Sequence, residues 1–348
     1  MRIANVFKIP ETSSSLIRIL PRAMNTAIHL KGVTKTFGRT QAVRDLDLEI
    51  PSGGLYGFIG PNGAGKTTTI RMIMSILFPD SGELSVLGHA SALDAKDRIG
   101  YLPEERGVYR KMRVGAFLAY MAHLKGVNTA GLSKPIAQML ESVGLGGTER
   151  KRCEELSKGM TQKVQFLAAT IHKPDLLILD EPFSGLDPVS AKLLRELVLA
   201  EHRRGATVLF STHVMPHAEE ICERVLMVHQ GVKVLDERVA AIRSQYDPRS
   251  IHFEPLDPAA DLSTLQSLPE VERVDRSDQS YEIRLAEGTT PSDAMRRIIQ
   301  VVVPARIELA RPRLEDIFIN LVSGGTASAE AEQLRAGLRH GEAKAAAI

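Results

Sequence analysis

Apolar and polar positions divide the chain into elements before any motif is considered. Leu55-Tyr-Gly-Phe-Ile59 is a short apolar run that predicts a buried strand, and Thr67–Ser75 continues it as a helix. Ala27–Val33 and Leu46–Ile50 alternate as edge strands do, Gly82–Gly88 reads as a short strand and turn, and Ile99–Leu102 as another strand. From Tyr109 to Glu155 the period becomes helical. Val114, Phe117, Leu118, Met121 and Leu124 share one face, and Ile136, Met139, Leu140 and Val143 share the next. Gly144–Gly147 closes that second helix. Ser157 suits the cap of a strong helix running through Thr170. Leu176–Leu179 is apolar throughout, as in a parallel sheet buried on both faces. Pro188 opens an amphipathic helix, Thr207–Ser211 is a third apolar strand, and Val225–Leu235 is a hairpin turning at Gln230-Gly231.

A helix to about Tyr246 follows, and Asp247-Pro248 marks a boundary. Beyond it, strands are expected at Ser250–Glu254, Val271–Asp275, Tyr281–Leu285 and Arg306–Ala310, with helices at Asp261–Leu268 and Pro291–Val302. The order β-α-β-β-α-β points to a small α+β, ferredoxin-like domain. Leu314–Val322 is a last amphipathic helix. The expected division is a leader at 1–25, a larger α/β domain at 26–246, an accessory domain at 247–322 and a tail at 323–348. The leader carries Arg2, Lys8, Arg18 and Arg22 but no continuous apolar centre, so it is no secretory signal; Met24 looks like a natural start. The leader is expected to be a disordered or over-called extension, and the tail disordered or a frayed helix.

Gly60-Pro61-Asn62-Gly63-Ala64-Gly65-Lys66-Thr67-Thr68 sits between strand and helix and fits G-x-x-x-x-G-K-[ST]. Its glycines let the backbone press against a phosphate, and amides at a helix start favour an anion. Lys66 is expected to reach the β- and γ-phosphates of a nucleoside triphosphate and the Thr67 hydroxyl to hold Mg²⁺. Asp180-Glu181 ends the apolar strand at Leu179, the end where open α/β sheets bind ligands. Two carboxylates there are costly unless they meet a cation or water. Asp180 is expected in the Mg²⁺ shell, with Glu181 orienting or deprotonating the attacking water. His213, at another strand end, can reach a γ-phosphate. Phe37, before Gly38, is either a platform for a purine ring or an ordinary core residue beside a turn.

Composition narrows the class. The 348 residues are 43% apolar and 25% charged, ordinary for a globular chain of two domains. A net charge of +2 gives no strong field for nucleic acid or an anionic membrane. Cys153 and Cys222 make neither a zinc site nor a disulfide framework, and fit a reducing compartment as buried thiols. No apolar run reaches the ~18 residues that cross a bilayer. No Asn-Lys-x-Asp guanine-reading motif occurs, which argues against a GTPase.

With the phosphate loop at 60–68, Leu156-Ser157-Lys158-Gly159-Met160, Asp180-Glu181, the Asp187 turn and His213, residues 26 to about 245 resemble the nucleotide-binding subunits of ATP-binding-cassette transporters. Phe37 falls where that family places its adenine-stacking aromatic. The resemblance implies a P-loop NTPase fold with a RecA-like core sheet, an antiparallel β subdomain and a helical insertion at about 105–160. It implies that two copies form a homodimer. Ser157 and Gly159 of each copy complete the ATP site of the other, with Asp187 among the binding residues. It implies a separate ABC-2 type permease subunit, with this chain at the inner face of the cell membrane. Two positions depart from the family. Glu104 stands where a glutamine meets Mg²⁺ and water, keeping an oxygen but losing the amide donor. Lys158 stands where the signature has a glycine. Both departures resemble the branch serving drug, sodium or peptide exporters. A soluble ATPase acting on nucleic acid or ribosomes, and an ATP-binding regulator with little turnover, remain open. A hydrophobic co-purifying partner separates the first from a transporter, and measured hydrolysis the second.

Overall fold

The computed structural model describes residues 26–105, 107–245, 250–277, 280–310 and 313–322. The leader, the tail and the Asp247-Pro248 boundary lie outside the described residues. The chain forms two compact units, one of residues 26–238 with 318–322 and one of residues 239–317.

In the first unit a six-stranded sheet carries the chemistry. Its strands in spatial order are β5 (Ile99–Leu102), β6 (Leu176–Asp180), β7 (Thr207–Thr212), β3 (Leu55–Ile59), β8 (Arg224–His229) and β9 (Val232–Arg238). The first five run parallel; β9 returns antiparallel through the Gln230-Gly231 turn, where Gln230 has φ 48°. β6 and β7 are buried at every position, which explains their apolar runs Leu176–Leu179 and Val208–Phe210. Burying each such side chain contributes about 1.5–3 kcal/mol.

A second, antiparallel sheet has the order β2 (Thr40–Pro51), β1 (Thr26–Phe37), β4 (Ser81–Val86). β1 is therefore central rather than an edge strand. Its half-exposed pattern reflects the sheet's open face, not a missing neighbour. The inner face of this sheet packs Ile28, Val43 and Val86 into one core with Phe58, Ile70, Ile178 and Leu209.

The helical insertion contains α2 (Val114–Leu124) and α3 (Ser133–Ser142), and α4 (Lys158–Thr170) follows with Ser157 as its cap. Val114, Phe117 and Leu118 are buried as the period predicts, but Leu124 is 49% exposed. The helix stops there, and the chain leaves through Lys125 and Gly126. Lys125 Nζ donates to Lys96 O at 2.6 Å and Ile99 O at 2.8 Å, fastening the end of α2 to the start of β5. His172 Nε2 donates to the same Ile99 oxygen at 3.1 Å. Both cysteines are buried, and burial pushes both thiols above their ordinary range.

The second unit has β10 (Ser250–Pro255), α8 (Ser263–Gln266), β11 (Val271–Ser277), β12 (Ser280–Leu285), α9 (Pro291–Val301) and β13 (Pro304–Ala310). The antiparallel order β11-β12-β10-β13 is the ferredoxin-like one. Ile251, Phe253, Ile283 and Leu285 pack with Ala294 and Ile298 of α9. The helix expected over Asp261–Leu268 shrinks to one turn, because the Asp261 carboxylate accepts the Ser263 amide at 2.9 Å and makes a local turn instead. The last helix is α10 (Leu314–Val322).

Burial and the Lys125 charge lower the His172 pKa to about 4. The unfolded chain binds a proton below about 6.5 that the native imidazole refuses, so this group lowers stability as pH falls from about 6.5 to about 4. His172→Gln keeps an N–H donor without the proton. Its unfolding midpoint should fall less than wild type over that window, and parallel curves would refute the assignment.

Candidate active site

The C-terminal ends of β3, β5, β6 and β7 converge on one edge of the parallel sheet. They carry Gly60, Glu104, Asp180-Glu181 and Thr212-His213 respectively. After β3 the chain makes the loop 60–65 and enters α1 (Lys66–Ile73). A side chain at Gly60 would put its Cβ 2.3 Å from Val228 O, and one at Gly65 would put it 2.4 Å from Ala42 O. The loop is thus wedged between β8 and β2 with room for backbone alone. Ala64 N donates to Pro61 O at 3.2 Å and Ala64 O accepts from Gly231 N at 3.0 Å. Pro61 is half-buried, Asn62 and Gly63 are exposed, and Thr67 and Thr68 lie half-buried in the first helical turn.

Lys66 is buried within this loop. Its Nζ donates to Gly60 O at 2.7 Å and Pro61 O at 3.2 Å, and stands 3.9 Å from Glu181 Oε1. Burial lowers its pKa, while Glu181, Asp180 and Glu104 pull it back up. Asp180 is buried. Ser211 Oγ donates to its Oδ1 at 2.6 Å, and its Oδ2 has no hydrogen-bond partner. Burial raises the Asp180 pKa; Ser211 and Thr67 favour the charged form. A buried carboxylate oxygen without a donor, beside a threonine hydroxyl, suits a hard cation. Glu181 has φ 48°, a left-handed conformation rare outside glycine. Its Oε1 accepts from His213 Nδ1 at 2.8 Å and its Oε2 from Thr212 Oγ1 at 3.3 Å. Glu104 joins this charge cluster from the rim. Desolvation raises its pKa, and the Asp180 and Glu181 charges add to the shift.

Lys66, Thr67, Glu104, Asp180, Glu181 and His213 are therefore brought together. Asp187 caps α5 (Pro188–Arg203), and Gly159, in the first turn of the helix that Ser157 caps, lies against the start of α5. The Asp187 carboxylate caps that helix, accepting from Val189 N at 3.0 Å and Ser190 N at 2.9 Å; hydrogen bonding to Ser190 holds its pKa low. A Cβ on Gly159 would sit 3.5 Å from Ser190 Oγ and 3.9 Å from Asp187 Oδ2. Ser157 is exposed, and its hydroxyl accepts from Met160 N at 3.3 Å. Phe37 is 48% exposed at the tip of the β1–β2 hairpin, with Lys35 Nζ 5.6 Å from its ring centre. Its ring is thus at the surface, not in the core.

The residue pattern alone does not reveal Ser211 and Thr212 as the partners of Asp180 and Glu181. The signal was there: two hydroxyls end an otherwise apolar strand that pairs with β6, Asp180 opposite Ser211. Gln162, which donates from α4 to Pro182 O at 3.0 Å, is likewise invisible without the fold.

Residues 43–184 match the family model described as ABC transporter. Residues 238–322 match the model described as ATP-binding protein DrrA1-3-like, C-terminal domain. The chain is 40% identical over 290 residues to an uncharacterized ABC transporter ATP-binding protein, YhaQ, of Bacillus subtilis (strain 168), covering 83% of this chain and 96% of that one. It is 30% identical over 310 residues to the bacitracin transport ATP-binding protein BcrA of Bacillus licheniformis, covering 87% and 99%. A solved structure of an ATP-binding subunit of an ABC transporter superposes with a TM-score of 0.59 at 29% identity, covering 64% of this chain and 93% of that one.

Ser211→Ala would leave Asp180 with neither oxygen bonded to Ser211 in a buried site. The expected loss is about 1–3 kcal/mol of stability in the absence of nucleotide. Thermal unfolding of the two purified chains measures it, and identical midpoints would show that the Ser211–Asp180 bond contributes nothing.

Proposed function

The chain belongs to the ATP-binding proteins of ABC transporters, and from that premise we propose that two copies hydrolyse ATP between them to drive export through a separate membrane-spanning subunit of the ABC-2 type. The family binds and hydrolyses ATP. The observation that carries the finer reading is the Glu181 carboxylate, tied to His213 at 2.8 Å and facing the Lys66 ammonium at 3.9 Å.

In this reading the loop amides of residues 60–68 and the Lys66 ammonium take the β- and γ-phosphates. Lys66 exchanges its two carbonyl acceptors, Gly60 O and Pro61 O, for phosphate oxygens. Thr67, Asp180 and Glu104 would hold Mg²⁺, which neutralises phosphate charge when bound. Glu181 takes the proton of the water whose oxygen attacks the γ-phosphorus, and the bond to the β-bridging oxygen breaks to leave ADP and phosphate. His213 donates to Glu181 and so fixes the direction of that carboxylate. Phe37 offers its exposed ring to adenine. Gly159 lies against the start of α5, capped by Asp187, and in this reading it and Ser157 meet the nucleotide of a second copy.

Export rather than import is supported by the likeness to the Nod factor export ATP-binding protein I of Rhizobium sp. (strain N33), 31% identical over 299 residues. No helix among the described residues is long and apolar enough to cross a membrane. The proposed pathway for cargo lies in the separate subunit. The helical insertion and the Glu104 loop are the proposed points of contact with it, and the inner face of the cell membrane the proposed location. No nucleic-acid partner is proposed.

Glu181→Gln should lose at least roughly 10²-fold in hydrolysis while ATP binding persists, the scale of one positioned catalytic group. Steady-state turnover beside a nucleotide-binding isotherm checks this, and undiminished turnover would refute the base. The same variant, unable to hydrolyse, should sediment as a dimer at saturating ATP and Mg²⁺; a monomer there would sink the shared site.

A further inference from the structure

The residues after Glu181 are pinned by the chain's own signature helix. Glu181 keeps its left-handed backbone at φ 48°, a conformation that persists only where its surroundings hold it. Ser184 N donates to Glu181 O at 3.1 Å and closes the turn. The Phe183 ring is edge-on to Phe210 at 5.3 Å and to His217 at 5.1 Å, so a strand and a helix grip it from two directions. The third tie comes from α4. Gln162 is buried, and its Nε2 donates to Pro182 O at 3.0 Å, the carbonyl of the residue next to Glu181. The same helix lays Lys158 across Gly185, with Nζ 1.9 Å from where a Gly185 Cβ would sit.

We propose that Gln162 is a positioning residue for Glu181. Its amide holds the Pro182 carbonyl and thereby the turn that aims the carboxylate. This rests on the reading above, in which Glu181 is the base and Ser157 and Gly159 meet nucleotide held by a second copy. Gln162 lies on the helix that Ser157 caps. A shift of α4 when its N-terminus takes the partner's ATP therefore moves Pro182, and with it the general base of the chain's own pocket. In that reading the Gln162–Pro182 hydrogen bond joins the two pockets within each copy.

Gln162→Met has nearly the same length and no donor. In the full-length chain kcat should fall about tenfold, the effect of roughly one such bond on the barrier, while KM stays within about twofold. The diagnostic is the double variant. If Gln162 acts through Glu181, adding Gln162→Met to Glu181→Gln should leave the residual single-turnover rate of Glu181→Gln unchanged. Wild-type kcat in Gln162→Met would overturn the proposal, as would a further tenfold loss in the double variant. Should Gln162→Met not fold, Gln162→Asn, whose amide falls short of the carbonyl, is subject to the same two comparisons. Full activity in Glu181→Gln alone would be a different failure: it would remove the base assignment, and the relay with it.

Discussion

The site depends on one buried ammonium among three carboxylates. Lys66 and Glu181 are each less than a tenth exposed, and Asp180 is more buried still. Burying any one of them alone would be prohibitive, because an isolated charge loses its hydration without recompense. Together they offset one another, and the backbone serves that pairing. The loop 60–65 bends around Lys66, the parallel strands deliver the acids to one edge, and Ser211, Thr212 and His213 supply the hydrogen bonds that the lysine cannot. One oxygen, Asp180 Oδ2, is left without a hydrogen-bond partner, a position that suits a hard cation.

This requirement explains why so much of the site was legible in the chain. A glycine-rich turn before a helix, and two acids ending an apolar strand, are expensive unless an anion and a cation meet there. Leu176–Leu179 and Thr207–Ser211 were legible for a related reason, since strands buried on both faces carry no alternation to misread. The ferredoxin-like order of the second unit followed from the alternation of short strands and two helices.

What was hidden is what depends on neighbours distant in sequence. β1 alternates as an edge strand would, yet it lies between β2 and β4, because one open face gives the same pattern as one open edge. Leu124 keeps the helical period but falls where α2 ends, so it meets solvent. Asp261 diverts its own backbone into a turn and shortens α8. Gln162 looks like an ordinary helix former until Pro182 is placed beside it. In each case local chemistry is ambiguous and the packing decides.

Both cysteines of the chain are buried, with their thiols shifted upward by desolvation. Thiolate is the reactive form, so burial disfavours alkylation of both at neutral pH. A cysteine introduced at an exposed position would then be the preferred point of labelling, with no need to strip the natural ones first. Distances between two fluorophores, or between two spin labels, could in that way be followed across an otherwise unaltered molecule.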